Sequence, residues 1–268
     1  MNALTLGELT PDVPEAVYHA HDSLSSTGAK RILVCPATYR HEQDNRVENE
    51  NFDHGHVIHE LILGKGEGYV VVDGNRNTKA VREEVERVRA EGKVPIKTAD
   101  LTACQQSAAA VLEHPEIGPW FTGAGVSEVS ALVTDPRTGV PMRARFDRLI
   151  EDDVPVILDV KSTRGLTHPW QVGKAVADYG YHVSAAFYRR VARLVGLPDP
   201  EFRLVFTPKS GPFEAHAYDL ADDLLEAGDA KVDAALDLYA ACRARDEWPC
   251  LYPAVSTLTA ADLPAYAL

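Results

Sequence analysis

Two short apolar runs separated by an acidic turn constrain the fold more than any other stretch of the sequence. The runs occupy residues 140–150 and 154–160, and the turn between them contains three consecutive acids at residues 151–153. Runs of this length, rich in aliphatic residues and bounded by a turn, are typical of neighbouring β-strands. The sequence therefore predicts a β-hairpin here.

Three charged residues lie within or directly after these apolar runs. Asp147 is on the first predicted strand, and Asp159 and Lys161 are two positions apart on the second. Because side chains alternate between strand faces, Asp159 and Lys161 share a face and Val160 points the other way. Two carboxylates and an amine suit metal-dependent phosphodiester hydrolysis, in which the acids hold a divalent cation and the amine orients or deprotonates a water. The alternative is a surface hairpin with a cross-strand Asp–Lys ion pair.

The remaining patterns surround this hairpin with further strands and helices. Strands are predicted by apolar runs at residues 67–73, 126–133, 202–207 and 213–218. Helices are predicted by capping residues and apolar periodicity at residues 27–34, 51–63, 78–90, 98–114, 168–194 and 221–244. We therefore expect an α/β (α+β) fold in which a β-β-β-α-β-β core, beginning with an antiparallel meander, follows a helical N-terminal region.

Composition and charge limit the functional classes. The chain has 268 residues, a formal net charge of −13 and a mean hydropathy of −0.19. No apolar run approaches the roughly 18 residues of a membrane helix, and the N-terminus lacks a signal pattern, so a cytoplasmic protein is expected. The overall charge argues against broad attraction to DNA, yet residues 141–195 contain nine basic residues and six acids. A local cationic channel is therefore expected.

The cysteines do not form a recognisable metal motif. Four are present, with no CxxC pair and no zinc-finger spacing: Cys35, Cys104, Cys242 and Cys250. They are interpreted as free thiols, and the pattern does not favour an iron–sulfur cluster.

The hairpin charges resemble the motif of the PD-(D/E)xK nuclease superfamily, and further motifs narrow the resemblance. They are Cys35-Pro36-Ala37-Thr38-Tyr39, Gly55-x-x-x-His59, Phe146-Asp147-Arg148, Asp159-Val160-Lys161, Tyr181-His182 with Ala185-Ala186-Phe187-Tyr188, and Trp248-Pro249 with Tyr252. In this order the chain looks like the RecE-type exonucleases of phages and prophages, which are related to the RecB nuclease domain and lambda exonuclease. The resemblance extends from about Tyr18 to Tyr252.

The resemblance implies a restriction-endonuclease-like core, with a mixed central sheet flanked by helices. Residues 1–17 are expected to form a loosely ordered lead-in, and residues 18–268 a single nuclease domain. That domain would comprise a helical part (18–120), a catalytic core (121–220), and a C-terminal helix and tail (221–268).

The resemblance also implies roles for individual residues. His59, Asp147, Asp159 and the Val160 carbonyl would bind Mg²⁺ or Mn²⁺, and Lys161 would act on the attacking water. His56, one helical turn from His59, is the alternative imidazole. Glu128 matches an acidic position of the family and would contact metal or water. A rim ion pair is its alternative role.

DNA contacts are expected around the hairpin. The candidates are Arg143, Arg145, Arg164, Lys174, Tyr181, Ser184 and Tyr188. A solvated face is the alternative for each cation, and core packing is the alternative for the two tyrosines. Ser184 stands where the related enzymes commonly carry a glutamine; a serine can donate one hydrogen bond but reaches less far.

The resemblance implies a metal-dependent DNA exonuclease that digests double-stranded ends 5′→3′ in recombination or repair. A homo-oligomeric ring and a single-strand annealing partner would accompany this activity. The alternatives are a structure-specific or CRISPR-adaptation-like endonuclease on the same core, and a non-catalytic DNA-binding module.

Overall fold

The computed structural model of the protein describes residues 3–45, 53–252 and 255–262. The strands within these residues are β1 (Leu9–Thr10), β2 (Tyr69–Val71), β3 (Val94–Ile96), β4 (Val126–Thr134), β5 (Pro141–Ile150), β6 (Val156–Thr163), β7 (Glu201–Pro208) and β8 (His216–Asp219). The helices are α1 (Glu15–Ala20), α2 (Ser26–Val34), α3 (Pro36–Asp44), α4 (Asp53–Leu63), α5 (Lys79–Ala90), α6 (Thr98–Leu112), α7 (Gly118–Thr122), α8 (Pro169–Tyr179), α9 (Tyr181–Leu194) and α10 (Asp222–Arg245). A 3₁₀ turn, Ala260–Asp262, lies near the end of the chain.

Six strands form one mixed sheet in the order β1-β4-β5-β6-β7-β8, and β2 and β3 form a small separate parallel sheet. Strands β4, β5 and β6 pair antiparallel, which confirms the predicted meander. Strand β7 pairs parallel to β6. A parallel pair requires a crossover connection, and α8 and α9 provide it.

Apolar side chains on the two faces of the sheet form two cores. On one face, Phe146, Leu204 and Phe206 pack with apolar residues of α2, α9 and α10. On the other, Leu158 and Val205 pack with α4 and α6. Burial of these faces fixes the strands between two helical layers, because a sheet is stable in water only when its apolar faces are covered.

Strands β5 and β6 pair over only part of their length. Their paired residues are Arg148 with Leu158, Leu149 with Ile157 and Ile150 with Val156. Beyond this closed part, the segments 141–147 of β5 and 159–163 of β6 diverge and form what we call the fork. Strand β6 continues to pair with β7 as far as Thr163, so only the β5–β6 pairing is interrupted.

The segment that leads into α2 occupies the far end of the fork. The N–H of Leu24 donates to the carbonyl of Pro141, and the N–H of Arg143 donates to the carbonyl of Leu24, both at 2.8 Å. Leu24 itself is fully buried. The backbone of β5 is thereby satisfied by a distant segment, which stabilises its separation from β6.

The structure differs from the sequence prediction in several elements. The helix expected at residues 168–194 is broken at Gly180, which adopts a left-handed conformation with φ of 62°. Pro36 begins α3, a helix that was not predicted, and proline suits this first helical position because it has no N–H to leave unpaired. Pro95 lies in β3, a short strand between α5 and α6 that was not predicted.

Part of the predicted lead-in packs against the sheet. Leu9 and Thr10 pair with β4, and Val13 is buried. At these residues β1 covers the edge of β4. The predicted division into domains stays a prediction, and Asn51, the expected start of the second helix, lies outside the described residues. In the described part of the chain, no helix combines the length and apolarity needed to cross a membrane.

Candidate metal centre

The fork exposes the backbone of Val160 to side chains instead of to β5. Its N–H donates to Asp147 Oδ2 at 2.7 Å, and its carbonyl accepts a hydrogen bond from His59 Nε2 at 2.8 Å. His59 Nε2 also lies 3.6 Å from Asp147 Oδ2. A helix and two strands distant in sequence therefore meet at one residue, with the imidazole, the carbonyl and the carboxylate on one side of the fork.

Glu128 completes a cluster with His59 and Asp147. One potential ligand atom from each of the three residues lies within 4.8 Å of the other two. Glu128 is on β4, the neighbour of β5, and has a φ of 54°. This conformation is uncommon for a residue with a side chain and costs on the order of 1 kcal/mol, and such strain clusters at functional sites.

The donor set suits a divalent cation. Two carboxylates and a backbone carbonyl offer the oxygen ligands that Mg²⁺ and Mn²⁺ prefer, and Mn²⁺ also accepts the imidazole. The carboxylates are close together: burial first, and then repulsion from Asp147, raises the pKa of Glu128 to about 7. A bound cation would relieve this repulsion. The residues of the cluster therefore fit such an ion.

Asp159 and Lys161 form an ion pair beside this cluster, with Lys161 Nζ 2.6 Å from Asp159 Oδ2. Burial raises the pKa of Asp159 against the opposing effect of the Lys161 ammonium. Burial alone would lower the pKa of Lys161, but the charges of Asp159 and Asp147 raise it. The carboxylate of Asp159 thus holds Lys161, and Asp159 is not a member of the His59 cluster, so its predicted role as a metal ligand stays a prediction.

A cleft of about 1260 Å³ opens in front of the cluster. Its walls include His59, Glu128, Val160 and Lys161, together with Arg145, Arg164, Lys209, Tyr179 and Tyr181. Residues of α1 and the start of α4 also line the cleft, among them Glu15, His19 and the exposed His56. The candidate site is therefore accessible from solvent and has cationic side chains along it, as nucleic-acid binding requires.

The predicted phosphate-binding cations are placed differently from one another. Arg164 is exposed and lines the cleft. Arg145 also lines it, but donates to Ser130 Oγ at 3.1 Å and to the Val13 carbonyl at 2.7 Å. Arg143 is buried and donates to the His21 carbonyl at 2.9 Å, in contrast to its predicted contact with DNA. Lys174 is exposed and pairs with Asp178 one helical turn away.

The three residues of α9 that were predicted to contact DNA lie in different environments. Tyr181 lines the cleft. Tyr188 packs edge-to-face on Phe146 with ring centroids 5.7 Å apart, which is the core-packing role. Ser184 is buried and accepts a hydrogen bond from Lys30 Nζ at 3.0 Å. Ser184 therefore orients a lysine of α2 in this structure.

Sequence reasoning missed three contributors to this region. Lys30 reaches the site from α2, and Tyr18 of α1 lies under the Arg145 guanidinium, 4.4 Å from it. Tyr179 stands at the cleft wall. The serine at position 184 could have indicated Lys30. Where the related enzymes carry a glutamine, the shorter serine leaves space for the side chain of another residue. No pattern indicated the other two.

The described cysteines are free thiols, three buried and Cys250 exposed. The tail tryptophan, Trp248, packs against the rings of Tyr39 and Tyr239 at 5.6 and 5.8 Å. Trp248 thus packs against α3 and α10.

A family model described as a PDDEXK-like domain of unknown function matches residues 25–252. The fold is similar to the crystal structure of a "putative exonuclease" from Eubacterium rectale, with a TM-score of 0.64 and 13% sequence identity over 96% of this chain and 99% of that one. A second solved structure has a TM-score of 0.38 and 13% identity over 82% of this chain and 76% of the other. None of the curated proteins matches the chain. The predicted fold class is confirmed.

Proposed function

The chain belongs to the PDDEXK-like domain family, and on that premise we propose that it is a metal-dependent deoxyribonuclease. The family match confirms the superfamily that the hairpin motif predicted. The observation that carries the proposal is the fork, where His59 and Asp147 bond to the backbone of Val160 and form a cluster with Glu128. Beside this cluster lies a lysine that is paired with a buried acid.

In the proposed reaction, His59, Glu128, Asp147 and the Val160 carbonyl would hold the cation, with Asp159 as a further proposed ligand. When bound, a divalent cation supplies Lewis-acid polarisation of the scissile phosphate. The Lys161 ammonium donates hydrogen bonds to the attacking water and to the phosphate, where it opposes the negative charge that develops in the transition state. Asp159 orients Lys161, and the exposed Arg164 binds a neighbouring phosphate.

We further propose that the substrate is a double-stranded DNA end digested 5′→3′, in recombination or repair and with a single-strand annealing partner. The ordered motifs from Tyr18 to Tyr252 support this finer assignment through their resemblance to RecE-type exonucleases. The same resemblance supports a ring-shaped homo-oligomer and a phage or prophage origin.

Cleavage of end-labelled linear duplex and of closed circular DNA in Mg²⁺ tests the proposal. We expect stepwise loss of nucleotides from the linear substrate, no product without divalent cation, and intact circles. Nicked circles would instead support the endonuclease alternative. Labels on the 5′ and 3′ ends read the polarity.

Lys161→Ala tests the role of the amine. We expect a loss of cleavage of about 10²- to 10⁴-fold with DNA binding retained, because the side chain acts on reacting atoms. Lys79→Ala is the matched control, since Lys79 is 84% exposed and pairs with Glu83 along α5. Unchanged cleavage by the Lys161 variant contradicts the assignment, and binding without cleavage by the unaltered protein favours the non-catalytic module.

A further inference from the structure

Two tyrosines on either side of Gly180 form a stacked pair at the cleft. Tyr179 ends α8 and Tyr181 begins α9, and their ring centroids are 5.6 Å apart with an interplanar angle of 30°. Both rings line the cleft, and Tyr179 is 63% exposed. We call Tyr179 and Tyr181 the tyrosine pair.

The inner ring of the tyrosine pair contacts the proposed catalytic amine. Lys161 Nζ lies 5.4 Å from the ring centroid of Tyr181, and Lys30 Nζ lies 5.7 Å from it. Phe206 meets the same ring edge-to-face at 6.0 Å. Cation–π and aromatic contacts therefore hold Tyr181 in a fixed orientation.

The outer ring is supported by the inner one and still open to solvent. A single exposed tyrosine is ordinary on a protein surface. Tyr179 differs because it is stacked on a held ring whose other contacts lead to Lys161. The tyrosine pair thus extends from the solvent to the proposed reaction centre: Tyr179 is exposed and stacks on Tyr181, and Tyr181 contacts Lys161.

We propose that Tyr179 is the stacking platform for an unpaired nucleobase of the strand whose phosphate lies beside Lys161. The ligand class is single-stranded nucleic acid, bound with little sequence preference because every base has a π-face. This proposal rests on the proposed nuclease function and adds to it that the bases next to the cleaved bond are unpaired.

A thermodynamic cycle between Tyr179 and individual bases tests the proposal. Affinities of the full chain for a labelled 12-nucleotide oligothymidylate are measured by fluorescence anisotropy in Ca²⁺ and in EDTA, with oligonucleotide length checked afterwards. Abasic sites replace each base in turn. We expect an abasic site at one or two positions to weaken binding to the unaltered protein roughly tenfold, within the range of one base–aromatic stack.

In Tyr179→Ala, the affinity for the intact oligonucleotide should fall by the same factor, and the abasic sites at those positions should have no further effect. Tyr179→Phe keeps the ring and should behave like the unaltered protein. Trp170→Ala is the matched control, because Trp170 is a 76% exposed aromatic on the same helix that does not line the cleft.

The proposal would be overturned if each abasic site lowered the affinity of Tyr179→Ala as much as it lowers that of the unaltered protein. It would also be overturned if Tyr179→Phe lost as much affinity for the intact oligonucleotide as Tyr179→Ala. Cleavage of linear duplex in Mg²⁺ is measured in parallel. Cleavage without coupling overturns only the stacking site. Coupling without cleavage supports the stacking site and overturns the nuclease, and absence of both overturns the two together.

Discussion

The closed part and the fork of strands β5 and β6 belong to the same hairpin but differ in the partners of their backbone groups. In the closed part, the backbones pair with each other and Leu149, Ile157 and Leu158 are fully buried. In the fork, the N–H and carbonyl of Val160 bond to Asp147 and His59. Backbone groups released from a ladder become available to side chains, because buried donors and acceptors require partners.

The comparison shows how a sheet can present a site without losing its core. Strand β7 still pairs with β6 along the fork, and β4 with β5, so each separated strand keeps one neighbour. The closed part should therefore control stability, and the fork should control affinity for the cation. The following variants separate these two properties.

Leu158→Ala in the closed part should produce the largest effect, a loss of about 2–5 kcal/mol in the free energy of unfolding, because it leaves a cavity at a fully buried position. Urea denaturation measures this loss. The affinity of the folded variant for Mn²⁺, by calorimetry, should stay within about twofold. A large loss of affinity at retained stability would mean that the two parts are not separable.

His59→Ala on the fork should show the reverse pattern. We expect the affinity for Mn²⁺ to fall about 10- to 100-fold, the range found when a side chain supporting a metal site is removed. The unfolding free energy should change less than in Leu158→Ala, because the Val160 carbonyl lines the cleft, where water can replace His59 as its donor. His56→Ala is the comparison variant. If it lowers the affinity and His59→Ala does not, the imidazole is supplied by His56.

The smallest expected effect is on the free energy of unfolding at position 128, and it arises from the backbone conformation of Glu128. Glu128→Gly and Glu128→Ala both remove the carboxylate, but only glycine adopts a φ of 54° without strain. We expect the free energy of unfolding of the glycine variant to be about 1 kcal/mol larger than that of the alanine variant. Both variants should lose the same amount of Mn²⁺ affinity. Equal stability of the two variants would show that position 128 is not strained.

The hairpin was predictable because its evidence is local. Asp147, Asp159 and Lys161 interrupt apolar runs, and strand periodicity alone places Asp159 and Lys161 on one face. His59 was predicted from the resemblance, since no local rule brings a helical residue 101 positions earlier in the chain to Val160. The fork itself was not predicted, because it depends on Leu24 pairing with β5.

The errors follow from tertiary packing that overrides local pattern. Arg143 has the charge of a phosphate ligand, but its guanidinium lies 5.3 Å from the ring of Tyr18 and bonds to carbonyls of the distant segment before α2. The apolar periodicity of residues 168–194 predicts one helix, because a single left-handed glycine changes direction without changing hydrophobicity.

That glycine joins two parts of the protein that are distant in sequence. A methyl group on the α-carbon of Gly180 would come within 2.9 Å of Lys30 Cδ, so the side chain of Lys30 crosses the α8–α9 junction where no side chain stands. Because Gly180 has no Cβ, the chain can bend between the two tyrosines and the side chain of Lys30 can reach Ser184. Any larger residue there would displace the lysine side chain and would strain the backbone at a φ of 62°.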